Sequence, residues 1–131
     1  MSRVARSIIP LLVVLSGCAT GTSGLDVRTE AVGTVSFQLG KPALYPAASG
    51  VDVIGSACRI GTNTALSPRR VRIEHLSATS EIVDVATAPM PWLSTRADQR
   101  CGHYSLAVTW NPADGETVRA CFDRGHACPA P

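Results

Sequence analysis

From His103 to Trp110 the chain alternates strictly between polar and apolar side chains, with Tyr104, Leu106, Val108 and Trp110 on the apolar side. A period of two over eight residues predicts a half-buried strand. Asn111-Pro112-Ala113-Asp114-Gly115 follows, with a proline suited to open a turn and a glycine able to take positive φ. Val118, Ala120 and Phe122 then resume the apolar phase, so the pair reads as a β-hairpin. The same alternation, less regular, runs through the rest of the domain. Val27 to Leu39 reads as a strand with Val35, Phe37 and Leu39 on one face, and Val51 to Ile60 as another, bent or bulged at Gly55. Arg70 to Leu76 points Val71 and Ile73 one way and Arg70, Arg72 and Glu74 the other, so Arg72 and Glu74 read as a solvated face. Ser77 to Ser80 connects it to Glu81–Thr87 as a second hairpin.

Between these runs the chain is punctuated. Lys41 to Gly50 reads as a Pro/Ala-rich loop holding Tyr45. Pro89-Met90-Pro91-Trp92-Leu93 carries two prolines and is barred from a central strand. Ser94 is placed to cap a single helical turn through Asp98. No heptad and no sustained 3.6-residue period is present. Residues 27–131 are therefore expected to form one all-β domain, an immunoglobulin-like or transthyretin-like sandwich of about seven strands.

The N-terminus follows a different logic. Arg3 and Arg6 precede the apolar run Ile8–Leu15, which small residues and Cys18 close. Positive, apolar and small in that order is the layout of a secretory signal, and the run is far short of the ~20 residues of a membrane-spanning helix. Leu15-Ser16-Gly17-Cys18 resembles the lipobox of bacterial lipoproteins. That resemblance implies removal of signal peptide 1–17 and lipidation of Cys18 with a diacylglycerol and a third chain, acyl groups of the palmitate kind. Two or more such chains make a stable anchor. Residues 18–26 then read as the lipidated cysteine and a flexible tether. Ala19 stands where an aspartate would favour inner-membrane retention, so the resemblance implies the outer membrane, periplasmic face, with surface exposure as the alternative.

Charge and cysteines narrow the picture. Two of the twelve basic residues are Arg3 and Arg6, so the part after Gly17 balances ten basic against ten acidic side chains. A nucleic-acid-binding field is not expected from such a balance. Beyond Cys18, the even set Cys58, Cys101, Cys121 and Cys128 in an exported chain reads as disulfides. Three pairings are open. Cys58–Cys101 with Cys121–Cys128 is favoured, the second bridge closing a short loop around Arg124-Gly125. Zinc is not expected, because no tight Cys-x2–4-Cys knuckle occurs.

No residue pattern nominates an enzyme. His75 sits at a strand end and reads as a rim or partly buried histidine rather than a base; His103 and His126 would meet only if the C-terminus doubled back. Neither Gly-x-Ser-x-Gly nor Ser-x-x-Lys is present, and Asp98, Asp114 and Asp123 lack the spacing of a calcium loop. No cofactor beyond the lipid and no small-molecule substrate is expected. Binding is the default reading, with Met90, Trp92 and Leu93 as first candidates and Tyr45 as second, since aromatic and methionine side chains beside prolines suit interface cores; the competing reading folds Trp92 inward to plug one end of the sandwich. Ser67-Pro68-Arg69-Arg70-Val71-Arg72-Ile73-Glu74-His75-Leu76 resembles a Ser-Pro…Val-Arg-Ile-Tyr-Gln-Leu segment of the type VI secretion lipoprotein family, with Glu74-His75 in place of Tyr-Gln. This resemblance implies a transthyretin-like sandwich that recruits an envelope partner. The alternative function is a small ligand-binding or enzyme-inhibitor lipoprotein.

Overall fold

The structure is a computed structural model and describes residues 27–131; the signal 1–17, the lipidation position Cys18 and the tether to residue 26 lie outside the described residues. Among the described residues eight strands form: β1 (Arg28–Val32), β2 (Phe37–Leu39), β3 (Ala43–Ala47), β4 (Gly50–Arg59), β5 (Arg70–Leu76), β6 (Ile82–Pro89), β7 (Cys101–Val108) and β8 (Thr117–Phe122). One sheet has the order β1-β8-β5-β6, and in the other β4 is flanked by β2 and β3 along one edge and by β7 along the other. Their inner faces share one core, in which Phe37, Val53 and Tyr104 of one sheet meet Val71, Ile73, Val118 and Phe122 of the other. The domain is an all-β sandwich carrying two disulfides, Cys58–Cys101 and Cys121–Cys128.

The stretch expected as one strand from Val27 to Leu39 is broken in two, because the chain changes sheets within it. Thr34 Oγ1 accepts hydrogen bonds from the Ser36 and Phe37 amides, and the Thr34 amide donates to Phe37 O, closing a tight turn. Val35 rides on its tip, 95% exposed, so it does not share a face with Phe37 and Leu39. β1 stays in one sheet, pairing in parallel with β8, and β2 joins the other against β4.

β3 occupies what reads from sequence as the loop Lys41–Gly50. Its Pro46 is tolerated because β3 is an edge strand. β2 and β3 run along the same side of β4, and between Leu39↔Ala57 and Ala43↔Ile54 the three residues 40–42 oppose the two residues 55–56. The irregularity expected at Gly55 is thus a bulge in the neighbouring strand; β4 itself stays in continuous register with β7. Gly55 has another task. Tyr104 lies across it from β7, and a Cβ at Gly55 would collide with the Tyr104 phenol. The phenol reaches over β4 and donates to Gly40 O at 3.4 Å, inside the bulge. Burial pushes its pKa well above the usual tyrosine value, so it remains a neutral donor.

β7 and β8 keep the expected apolar faces but do not form a hairpin. β7 pairs with β4, and β8 sits between β1 and β5 in the opposite sheet. The eight-residue connection 109–116 is longer than a tight hairpin loop, and it arches across the end of the sandwich with Trp110 packed on the core. The turn itself forms where expected, with Gly115 at φ +82° and the Glu116 amide donating to Ala113 O. The β5–β6 hairpin forms as read, its turn closed by Ser77 and Ser80. Ser94 caps a turn, accepting from the Arg96 amide, without any helix following.

Arg72 and Glu74 are not a solvated pair. Residues after β8 fold back as a strap over the outer face of β5, tied by Cys121–Cys128, and Glu74 is fully buried beneath it. Its Oε2 accepts from Arg72 Nε at 2.8 Å and from the Cys128 amide at 3.0 Å.

The Gly55–Tyr104 contact gives a direct test. Gly55→Ala must displace the tyrosine ring, so urea unfolding is expected to show a loss of about 2–3 kcal/mol, whereas Tyr104→Phe, which removes only the hydroxyl, is expected to lose about 1 kcal/mol. Equal losses would mean that the ring is free to move aside.

Candidate functional site

The alternation in β4 sends Val51, Val53, Gly55, Ala57 and then Arg59 inward. An arginine in the apolar phase enters the end of the sandwich, where it is only 9% exposed. Its guanidinium lies 5.0 Å over the centre of the Phe37 ring, a cation–π contact. Nε donates to Leu93 O at 3.5 Å, Nη1 to Ala65 O, and Nη2 to Ser67 Oγ at 3.4 Å. All three acceptors are neutral. Among the described residues the arginine–carboxylate pairs are Arg72–Glu74 and Arg119–Glu30, so Arg59 is a buried cation without a carboxylate.

Arg59 holds two loops, 60–69 after β4 and 90–100 before β7. Their stems are fixed by the Cys58–Cys101 bridge, which joins directly opposed residues of β4 and β7, and by the Arg59 amide donating to Arg100 O. Asn63 braces the first loop through Nδ2 to Ser36 O and Ile60 O, and Arg100 reaches from the second loop to Asn63 O, Thr95 O and Arg96 O. Between the loops runs an open groove of about 510 Å³ with Arg59 in its lining. Leu66 and Trp92 stand on its rims, 96% and 75% exposed, with Arg69 beside them.

The candidate residues separate here. Leu93 is buried and Met90 packs against the core, so both are anchors; Pro91 lies on Gly102, where a Cβ would meet it at 2.7 Å. Trp92, between these anchors, is turned outward. Tyr45 is half exposed but pairs with Asp52, at the far end of β4 from Arg59. Seven residues of strand put roughly 20 Å between them, so Tyr45 and Trp92 are not one surface. Arg59, Leu66 and Arg69 were not singled out by sequence. The phase of β4 carried the signal for Arg59; nothing local marks Leu66 or Arg69.

His75 is buried, in phase with Val71 and Ile73. Nδ1 lies 2.8 Å from Asp84 Oδ2, Nε2 lies 3.1 Å from Glu116 Oε1, and the ring stacks on Trp110 at 6.0 Å between centres. Ionised carboxylates only accept, so both contacts are hydrogen bonds when the imidazole carries both protons. With both nitrogens occupied and Trp110 over the ring, the histidine ties β6 to the arch between β7 and β8. His103 lies on the outer face of its sheet and His126 on the strap over the other sheet, so the two do not meet. No cluster of three or more metal-binding side chains occurs among the described residues.

The chain matches no family model, no curated protein and no solved structure.

Glu116 is held below its ordinary carboxylate pKa, first by the Ala113 amide that donates to it and then by its hydrogen bond to His75. A carboxylate with a lowered folded pKa stabilises fully above its unfolded value and loses that contribution as the pH falls through the folded value. Thermal melts from neutrality to about pH 3 should therefore show Glu116→Gln less stable than the parent near neutrality and converging with it at the acid end. A constant offset across the range would exclude the linkage.

Proposed function

We propose that this protein is a lipid-anchored envelope lipoprotein, held at the periplasmic face of the outer membrane through Cys18, whose sandwich acts as a non-enzymatic binding or scaffold component of a larger assembly such as a secretion system or pilus. The single observation that carries the binding role is Trp92: a large aromatic side chain 75% exposed between a buried Leu93 and a Pro91 seated on Gly102. An aromatic presented on rigid backbone gives contact area with little conformational entropy left to lose on binding. The anchor rests on the resemblance of Leu15-Ser16-Gly17-Cys18 to a lipobox. Two disulfides fit an oxidising compartment.

Two experiments test the two halves separately. Cys18→Ser is expected to move the protein from the membrane to the soluble fraction; retention in the membrane removes the anchor from this reading. A photo-crosslinker at position 92 is expected to capture one envelope-assembly component in cells, while the same group at position 45 captures none. Trp92→Ala should abolish that partner's association and change unfolding free energy by no more than about 0.5 kcal/mol, as for an ordinary surface substitution. Capture of a soluble host enzyme or surface molecule instead would favour the inhibitor or ligand-binding alternative.

A further inference from the structure

The groove between loops 60–69 and 90–100 is polarised in charge. Segments 59–69 and 90–100 contain Arg59, Arg69, Arg96 and Arg100 against one carboxylate, Asp98, although the chain after Gly17 is balanced overall. Among the described residues, the groove lining carries Arg59 and Arg69 and no acidic side chain. Arg59 is buried with neutral acceptors only, an arrangement that leaves its charge uncompensated in a poorly solvated place. A carboxylate arriving from outside would supply what this end of the sandwich lacks. The planar guanidinium fork suits that anion. The apolar rims, Leu66 and Trp92, are what an accompanying aromatic or aliphatic side chain would cover.

Resting on the binding role of Trp92, we propose that this groove takes an extended polypeptide segment of the partner in which an aspartate or glutamate flanks a large apolar residue. The carboxylate meets Arg69 at the rim and faces Arg59 below, and the apolar side chain packs between Trp92 and Leu66. A peptide fits better than an anionic lipid because the groove is open to the surface, pairs two arginines with exposed apolar rims, and is braced by Asn63 and Arg100. An acyl chain needs a closed apolar cavity.

The full-length protein in detergent would be titrated with three fluorescent peptides that are identical except beside one phenylalanine, where they carry aspartate, asparagine or lysine. The aspartate peptide should bind at least about tenfold tighter than the asparagine peptide, as expected for one charge-assisted contact. Its affinity should fall as salt is raised. Arg69→Ala, on an exposed side chain that leaves the core intact, should remove the preference for aspartate. Trp92→Ala should weaken all three peptides together. Equal binding of aspartate and asparagine peptides, or binding indifferent to Trp92→Ala, overturns the proposal. So does Arg69-dependent binding of the Cys18→Ser protein to phosphatidylglycerol vesicles without binding to the peptides. If crosslinking through position 92 captures an envelope partner while no aspartate preference exists, the acidic-segment inference fails and the broader function stands. A clear aspartate preference with no partner captured in cells has the opposite consequence: the groove's preference stands and the envelope-assembly role fails.

Discussion

One buried cation organises the end of the sandwich where loops 60–69 and 90–100 meet. Arg59 leaves β4 in the apolar phase, so its charge must enter the sandwich, where water cannot solvate it fully. Moving an arginine there is tolerable only if its N–H groups find acceptors and its plane finds a polarisable surface. It takes carbonyls from both flanking loops, a hydroxyl from Ser67 and the face of Phe37. Those demands are what bring two otherwise unrelated loops to a common distance. The groove lies between those two loops, with Arg59 in its lining.

The rest of the sandwich supports this end through close approach. Tyr104 can span the central strand because Gly55 has no side chain, and its hydroxyl finds an acceptor because β2 and β3 bulge at Gly40. The bulge lets one edge serve the long β4 with two short strands, which turns a proline-bearing segment into a usable edge. Toward the Arg59 end of β4 the same register places Cys58 opposite Cys101. A covalent bridge there holds the stems of the two loops that form the groove.

On the second sheet, charge is buried by a different device. Glu74 points outward from β5, yet the disulfide-closed strap covers it and supplies the Cys128 amide as a donor, with Arg72 as counter-ion. Its Oε1 has no hydrogen-bond partner among the described residues, which makes the seal between strap and sheet a costly polar burial. His75 does the corresponding work on the inner side, drawing Asp84 and Glu116 onto one ring.

Local chemistry determined the all-β class, the alternating core faces of β5, β7 and β8, the Ser77–Ser80 hairpin and the turn at Gly115, since each follows from side-chain period or from backbone freedom within a few residues. Arg59 and His75 continue the inward phase of β4 and β5, but the irregularity expected at Gly55 and the strand-end place of His75 hide that phase in the sequence. Beyond the Ser77–Ser80 hairpin, strand adjacency was decided only by the tertiary structure. The apolar faces of β7 and β8 are satisfied equally by a hairpin or by facing sheets, so the same alternation fits both. The Trp92 segment, with two prolines and no period, carried no phase to say whether its aromatic turned in or out. Packing of Pro91 on Gly102 and burial of Leu93 decided that. Glu74 likewise reads as solvated until a segment more than fifty residues away lies over it. A side chain's own strand sets its direction, while the elements that arrive from elsewhere set what it meets there.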